Sequence, residues 1–200
     1  MRLFYSQNSP YARVARIAVL ESSLADKAEH IKVVNRTPEN PLCDISPTCR
    51  VPTLVDGELV LGETRHICAY LDHVQGRAQF FPEGPTDWLR ISTESIVIAF
   101  LDSIVAQVSE SHRPASSYSA KRIGWEQQKT EKCLKLFDHT IQTNPDQFVA
   151  WDFTSISLAA ALSLMEFHSF RPNWRSKRTE LARWFTKTSV FPSMIETAPK

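Results

Sequence analysis

The most constraining feature of this 200-residue sequence is a serine at the start of the first predicted helix. Residues 2–5 predict a short strand, and a helical repeat of apolar residues begins after the turn formed by residues 6–10. Pro10 suits the first helical turn, where its missing N–H group costs no hydrogen bond. Ser9 therefore lies where unpaired helix N–H groups and the helix dipole favour an anion.

A second constraint is the dipeptide Val51-Pro52, which comes directly before another predicted strand. The bond before such a proline is trans or cis, and the upstream strand, turn and helix favour cis here. A cis bond would turn the backbone N–H and C=O of Val51 outward beside Ser9, where an extended peptide can pair with them. This combination is typical of a thioredoxin-like site in which Ser9 replaces the redox cysteine.

A third motif, Glu63-Thr64, lies between a predicted hairpin and the third predicted helix. Thr64 is predicted to cap that helix, so its hydroxyl and the free N–H groups around it form a small carboxylate site. Glu63 is placed to hold an ammonium group beside that site. A carboxylate and an ammonium group together form the head group of an amino acid, although a plain helix cap is the alternative interpretation.

The predicted elements divide the chain into two parts. Strands and helices alternate through residues 1–76, with Asp56-Gly57 as a hairpin signal, which predicts an α/β domain. Residues 77–85 contain two prolines and a glycine and predict a linker. Residues 86–200 show helical periodicity and no convincing strand. The predicted fold class is therefore an α/β domain followed by an all-α domain.

Composition argues against several classes of function. The net charge of +1 provides no overall field that favours nucleic acid or an anionic membrane. The longest apolar stretch, residues 156–165, is shorter than the roughly 20 residues that span a bilayer, and no signal peptide is recognised. The cysteines form no Cys-x-x-Cys pair and no zinc-type spacing. We therefore expect a reduced cytoplasmic protein with free thiols and no metal.

Together, these motifs resemble the glutathione S-transferase family, in its bacterial form with a serine active site. The resemblance is carried by Ser9-Pro10-Tyr11-Ala12-Arg13, Arg50-Val51-Pro52-Thr53-Leu54, Glu63-Thr64 with Ile67 and Tyr70-Leu71, Thr154-Ser155-Ile156-Ser157, and Phe191-Pro192-Ser193-Met194 with Thr197-Ala198-Pro199. It spans the whole chain and implies an N-terminal thioredoxin-like domain followed by a helical-bundle domain.

The resemblance also implies that glutathione binds along the thioredoxin-like domain as a co-substrate. Ser9 would donate a hydrogen bond to the glutathione sulfur and lower the pKa of its thiol, with Ser6 as the competing candidate. The other implied contacts are Arg50 at the glycyl carboxylate, Val51 with Pro52 at the cysteinyl backbone, and Glu63 with Thr64 at the γ-glutamyl end.

A small electrophile is the implied second substrate, bound between the domains. Tyr11, Phe100 and Ile104 are the candidate walls of its pocket, although each is also an ordinary core or surface residue type. The family further implies a cytoplasmic homodimer. Detoxification, catabolism and isomerisation are the physiological roles left open.

The sequence departs from the family pattern at three positions. Cys49 stands where glycine is usual, beside the predicted thiol site, as either a reduced bystander or a partner in a mixed disulfide. Ser157 stands where the segment that caps a C-terminal helix usually has aspartate, which predicts a weaker cap. Thr64 replaces a usual serine and keeps its hydroxyl.

Two alternative functions share the same architecture. A glutathione-dependent oxidoreductase or lyase normally needs a cysteine at the position of Ser9. A non-catalytic binding module often loses the residues that activate glutathione, whereas Ser9, Val51-Pro52 and Glu63-Thr64 are all present here. The sequence therefore favours an enzyme, and specifically a glutathione transferase.

Overall fold

The computed structural model describes residues 1–34, 37, 40–82 and 87–200. The strands are β1 (Arg2–Tyr5), β2 (Glu29–Lys32), β3 (Thr53–Asp56) and β4 (Leu59–Gly62). The helices are α1 (Pro10–Glu21), α2 (Leu42–Ile45), α3 (Thr64–Gln75), α4 (Trp88–Ser111), α5 (Ala120–Thr143), α6 (Phe153–Phe167), α7 (Trp174–Lys177), α8 (Thr179–Thr188) and α9 (Pro192–Glu196). These elements form two compact units, Met1–Gly84 with Pro192–Lys200, and Pro85–Phe191.

A mixed four-stranded sheet with the strand order β2-β1-β3-β4 forms the frame of the first unit. β1 runs parallel to β2 and antiparallel to β3, and β3 runs antiparallel to β4. The predicted hairpin is confirmed, because Asp56 pairs with Leu59 across a turn in which Gly57 adopts a φ of 59°. With α1 and α3 packed against each other, the predicted α/β, thioredoxin-like architecture is confirmed.

Helix α1 is buried along most of its length. Its apolar residues Val14, Ile17 and Val19 are fully removed from solvent, and so are the alanines between them. A second cluster contains Phe4 from β1 and Leu42 from α2, so it joins α2 to the sheet. Hydrophobic burial on α1 and at α2 therefore fixes both helices relative to the strands.

The last helix also belongs to the first unit, because α1 carries a buried charge that needs partners. Arg13 is only 5% exposed, and burial, reinforced by the nearby Arg16 charge, lowers its pKa to about 10. Its guanidinium donates from Nη2 to the carbonyl oxygen of Met194 at 2.9 Å and from Nε to Oγ1 of Thr197 at 3.2 Å. The predicted helical domain, residues 86–200, therefore differs from the observed unit, which ends at Phe191.

The described residues of the second unit, 87–191, form helices joined by turns and contain no strand, as predicted for its fold class. Helix α4 packs against α5 and α6. The ring of Phe137 meets those of Phe100 and Phe148 edge to face, with centroid distances of 5.4 and 6.2 Å. A buried hydrogen bond of 2.8 Å joins Gln107 Nε2 to Thr130 Oγ1, so polar groups between α4 and α5 are also paired.

The cap of α6 differs from the predicted one. Asp152, 1% exposed, is the N-cap residue, and its carboxylate accepts a 2.9 Å hydrogen bond from the Ser155 N–H. Arg90 forms an ion pair with the same carboxylate. Ser157 lies fully buried within the helix. The prediction that serine at position 157 weakens the cap is therefore wrong, because an aspartate five residues earlier provides the charge.

Helix α4 is long and apolar enough to cross a membrane, by length and composition alone. One face of α4 is buried, including Phe100, Leu101 and Ile104, and it packs against α5 and α6. The core helix of a globular unit meets the same length and composition criteria, so this feature is weak evidence for a membrane span.

Residues after α3 are ordered by one carboxylate. Helix α3 ends at Gly76, whose φ of 69° is the left-handed conformation that glycine adopts without steric cost. Asp72 then accepts backbone hydrogen bonds from the N–H groups of Gln79, Phe80 and Phe81 at 2.9–3.1 Å. The first part of the predicted linker is thus held against α3, and residues 83–86 lie outside the described residues.

We predict that Thr197→Val lowers the free energy of unfolding by about 1–3 kcal/mol, because it leaves the buried Arg13 Nε–H without its acceptor. Thr197→Ser keeps the hydroxyl and should stay close to the wild type. Urea unfolding of the three proteins checks this expectation. Equal midpoints for the valine and serine variants would show that this hydrogen bond does not hold the C-terminal segment.

Candidate functional site

The register of the sheet brings the three predicted motifs to one edge. Phe4 of β1 pairs with Thr53 of β3, and Thr53 pairs with Gly62 of β4. The turn after β1, the Val51-Pro52 segment before β3 and the Glu63-Thr64 segment after β4 must therefore lie side by side. Antiparallel pairing produces this arrangement, because the end of one strand meets the beginning of its neighbour.

Ser9 caps α1, as its position in the sequence predicted. Its Oγ accepts a hydrogen bond from the Ala12 N–H at 3.2 Å, and its carbonyl oxygen accepts one from the Arg13 N–H at 2.9 Å. The side chain is half-buried. Because the Ala12 bond uses the hydroxyl oxygen only as an acceptor, the hydroxyl proton remains available for donation to a ligand.

The turn that carries Ser9 is attached to the C-terminal residues. The Asn8 side chain donates to the Lys200 carbonyl oxygen at 2.9 Å and accepts from the Lys200 N–H at 3.1 Å. Gln7 donates to the Ala198 carbonyl oxygen at 3.4 Å. Sequence reasoning missed these positioning contacts, because no local pattern links partners that are 191 or 192 positions apart.

The Val51-Pro52 peptide bond is cis, which confirms the prediction. Val51 is half-buried and packs against the cluster that contains Phe4 and Leu42. The Thr53 hydroxyl donates to the Arg50 carbonyl oxygen at 2.7 Å, and the Arg50 side chain is exposed. The backbone before β3 is therefore held by the packing of Val51 and by the hydrogen bond between Thr53 and Arg50. The Arg50 side chain is accessible to an anionic group.

The predicted cap at Thr64 is wrong by one position. Glu63 is the N-cap residue of α3 and has a φ of 62°, whereas Thr64 is already the first helical residue. The Thr64 hydroxyl donates instead to the Tyr11 carbonyl oxygen at 3.2 Å, so it joins the beginning of α3 to the beginning of α1. The first N–H groups of α3 have no partner inside the helix, so this end favours a carboxylate.

Two of the four cysteines form a disulfide, so the prediction of free thiols is wrong for Cys43 and Cys49. Their Cα atoms lie 4.5 Å apart, because the single turn of α2 and the bend after it reverse the chain between them. The cysteines without a disulfide bond are Cys68, which is buried, and the half-buried Cys133. A separation of six residues matches no recognised motif, which is why the sequence did not reveal the pair.

The backbone conformation of Cys49 is one that favours glycine. Cys49 has a φ of 50°, in the left-handed region that side-chain-bearing residues rarely adopt. Its N–H donates to the Ser46 carbonyl oxygen at 2.9 Å, which closes the turn that leads into Arg50 and Val51. The backbone requires a positive φ here, and a cysteine meets that requirement at a steric cost.

The predicted residues of the second-substrate pocket lie in different units. Tyr11 is half-buried on α1 in the first unit. Phe100 and Ile104 are fully buried on α4, where Phe100 packs against Phe137. Their assignment to a pocket for an electrophile stays a prediction. Among the described residues, no cluster of three or more metal-ligating side chains is found.

A family model for the N-terminal domain of glutathione S-transferases matches residues 3–79, which include Ser9, Val51-Pro52 and Glu63-Thr64. Residues 3–79 therefore belong to the family of glutathione S-transferase N-terminal domains. A glutathione S-transferase from Methylobacillus flagellatus, with glutathione bound, is 26% identical, with a TM-score of 0.85 over 100% of this chain and 99% of that chain.

Two further structures have the same fold as this chain. A glutathione transferase family member from Pseudomonas fluorescens, with bound S-(propanoic acid)-glutathione, is 23% identical, with a TM-score of 0.84 over 100% of both chains. Gtt2 from Saccharomyces cerevisiae is 16% identical, with a TM-score of 0.83 over 98% of this chain and 100% of that chain. The likeness therefore extends over both units.

We predict that Ser9→Ala lowers the free energy of unfolding by about 1 kcal/mol, because it leaves the Ala12 N–H without its cap. Ser9→Asp should retain most of the stability, since aspartate caps equally well and its charge suits a helix N-terminus. Urea unfolding of both variants provides the measurement. An alanine variant as stable as the wild type would exclude a stabilising cap at this position.

Proposed function

We propose that this protein binds glutathione along its first unit and transfers the glutathione thiolate to a small electrophilic substrate. The observation that supports the proposal is the meeting of three segments at one sheet edge, with the Ser9 hydroxyl proton available at the start of α1. Family membership supports the same conclusion.

In this proposal, Ser9 is the catalytic residue. A cysteine thiol ordinarily has a pKa of about 8.5, so only a small fraction is thiolate at neutral pH. A hydrogen bond from the Ser9 hydroxyl stabilises the thiolate, and the N-terminal end of α1 adds the positive end of its dipole. Both effects lower the thiol pKa and increase the concentration of the nucleophile. Ser6 is the competing donor, since it lies in the same turn.

The peptide part of glutathione would lie along the sheet edge. Val51 offers its backbone to the cysteinyl residue, in the way that an added strand pairs with a sheet, with Pro52 fixing the start of β3. The beginning of α3, with Thr64 and the exposed Glu63, takes the carboxylate and the ammonium group of the γ-glutamyl end. The exposed side chain of Arg50 takes the glycyl carboxylate.

We further propose a cytoplasmic homodimer, as the family implies, with a small electrophile as the second substrate. Light scattering on the purified protein measures the oligomeric state. A non-catalytic binding module with the same fold is the alternative function, and the titration described next distinguishes the two.

Isothermal titration of the purified protein with glutathione and with S-hexylglutathione tests the proposal. We expect both to bind. We expect Thr64→Val to weaken both affinities, because it removes the hydroxyl that joins the beginning of α3 to the Tyr11 carbonyl oxygen. A loss of about tenfold corresponds to one hydrogen bond of roughly 1.4 kcal/mol. Thr64→Ser is the matched control and should bind like the wild type.

Absence of binding at millimolar ligand would reject the transferase and favour the binding module. Equal affinities for the valine and wild-type proteins would remove Thr64 from the site without affecting the rest of the proposal.

The role of Ser9 has its own test in the pH dependence of conjugation. We expect Ser9→Ala to raise the kinetic pKa by about one unit or more, because a hydrogen bond to a charged group is worth roughly 1.5 kcal/mol or more. The rate should therefore fall most below the thiol pKa and approach the wild-type rate at alkaline pH. Ser9→Thr retains the hydroxyl and should keep the wild-type profile. An unchanged profile for the alanine variant would assign the sulfur contact to another donor, with Ser6 as the next candidate.

A further inference from the structure

The disulfide between Cys43 and Cys49 ends immediately before two of the proposed glutathione-binding residues. Arg50 and Val51 follow Cys49 directly in the sequence. Both cysteines are partly exposed, so a small thiol in solution has access to this part of the chain. The disulfide therefore lies next to a site proposed for a thiol-containing ligand.

The disulfide connects Cys49 to a rigid part of the first unit. Cys43 follows Leu42, which is fully buried in the cluster that also contains Phe4 and Val55. The Cys43 N–H donates to the Asn40 carbonyl oxygen at 2.9 Å, so the beginning of α2 is also held by the backbone. A covalent bond from this anchored residue limits the positions that Cys49 can occupy.

The restriction on Cys49 matters because this residue has a positive φ, in the region that residues other than glycine rarely adopt. Two observed interactions hold it there, the hydrogen bond from its N–H to the Ser46 carbonyl oxygen and the disulfide to Cys43. Of these two interactions, opening the disulfide leaves the hydrogen bond to oppose the steric preference of the residue. The backbone before Arg50 and Val51 then has access to conformations with negative φ.

We propose that the Cys43–Cys49 pair is a redox modification site for small thiols of the glutathione type, and that its oxidised form holds Arg50 and Val51 in the ligand-binding conformation. This inference rests on the proposed function, since it concerns the affinity of the same glutathione site. It adds control of ligand affinity by the redox state of two cysteines. Ser9 cannot provide such control, because serine has no thiol.

The reduction is a balanced exchange with two molecules of glutathione. The thiolate of the first attacks one sulfur of the disulfide, which forms a mixed disulfide and releases the other protein sulfur as a thiolate. The thiolate of the second attacks the glutathione sulfur of the mixed disulfide and releases the remaining protein thiolate. The protein gains two electrons and, on protonation of the thiolates, two protons, while the two glutathione molecules leave as glutathione disulfide.

The experiment compares the oxidised and reduced protein in titrations with S-hexylglutathione, a thioether that cannot reduce the disulfide. We expect the reduced protein to bind more weakly, because the binding-competent conformation is populated only part of the time. A left-handed conformation at a residue other than glycine predicts a loss of up to about tenfold. Titration of thiols in the unfolded protein confirms each state, with two thiols expected before reduction and four after it.

Two double variants separate the backbone effect from other effects of reduction. Cys43→Ser with Cys49→Ser has no disulfide and keeps a side chain at position 49, so it should bind weakly with or without reductant. Cys43→Ser with Cys49→Gly has no disulfide either, but glycine adopts a positive φ without a steric cost. This second variant should bind like the oxidised wild type in both conditions.

Equal affinities of the oxidised and reduced wild type would overturn the inference and leave the proposed function intact. Four thiols in protein equilibrated with glutathione disulfide would also overturn it, since the pair would not then be a redox site. Absence of S-hexylglutathione binding in every form would instead reject the proposed function, and the inference with it.

Discussion

Arg13 brings a positive charge into the packed interior of the first unit, where it is only 5% exposed. A buried charge is tolerated when other groups satisfy it, and here the acceptors come from the C-terminal segment, at Met194 and Thr197. This requirement draws the last residues of the chain onto α1. The same segment contacts Gln7 and Asn8, in the turn that positions Ser9. The buried guanidinium of Arg13 thus helps to position the turn that carries Ser9, through the C-terminal segment.

The beginning of helix α1 also holds two segments of the candidate site together. Its N-terminal end is capped by Ser9, and the carbonyl oxygen of Tyr11 accepts the hydroxyl of Thr64. Two of the three proposed ligand-binding segments are therefore joined directly to the same turn of helix, while the sheet register holds Val51 between them. Because helix packing and strand pairing act together, a ligand that contacts all three segments meets a largely preorganised surface.

Local patterns were sufficient to predict much of this arrangement. The strand from Arg2 to Tyr5 and the cap at Ser9 depend on neighbouring residues, whereas the cis bond before Pro52 was predicted from the strand, turn and helix upstream; all three are confirmed. One error concerned a side chain whose hydrogen-bond partner is distant in the sequence and not local. Thr64 was predicted to cap its own helix, but it donates to Tyr11, which is 53 positions earlier in the chain.

The order of elements, the family resemblance and the three motifs can be read from the sequence alone, because hydrophobic periodicity, turn residues and helix capping act over a few positions. The association of the C-terminal segment with the first unit and the bond between Cys43 and Cys49 became visible in the folded structure. The structure also identified Asp152 as the cap of α6, paired with Arg90. The docking of the C-terminal segment and the pairing of Asp152 with Arg90 depend on groups distant in sequence that meet when a buried charge needs a partner. The Cys43–Cys49 bond depends on a chain reversal that brings two cysteine Cα atoms within 4.5 Å.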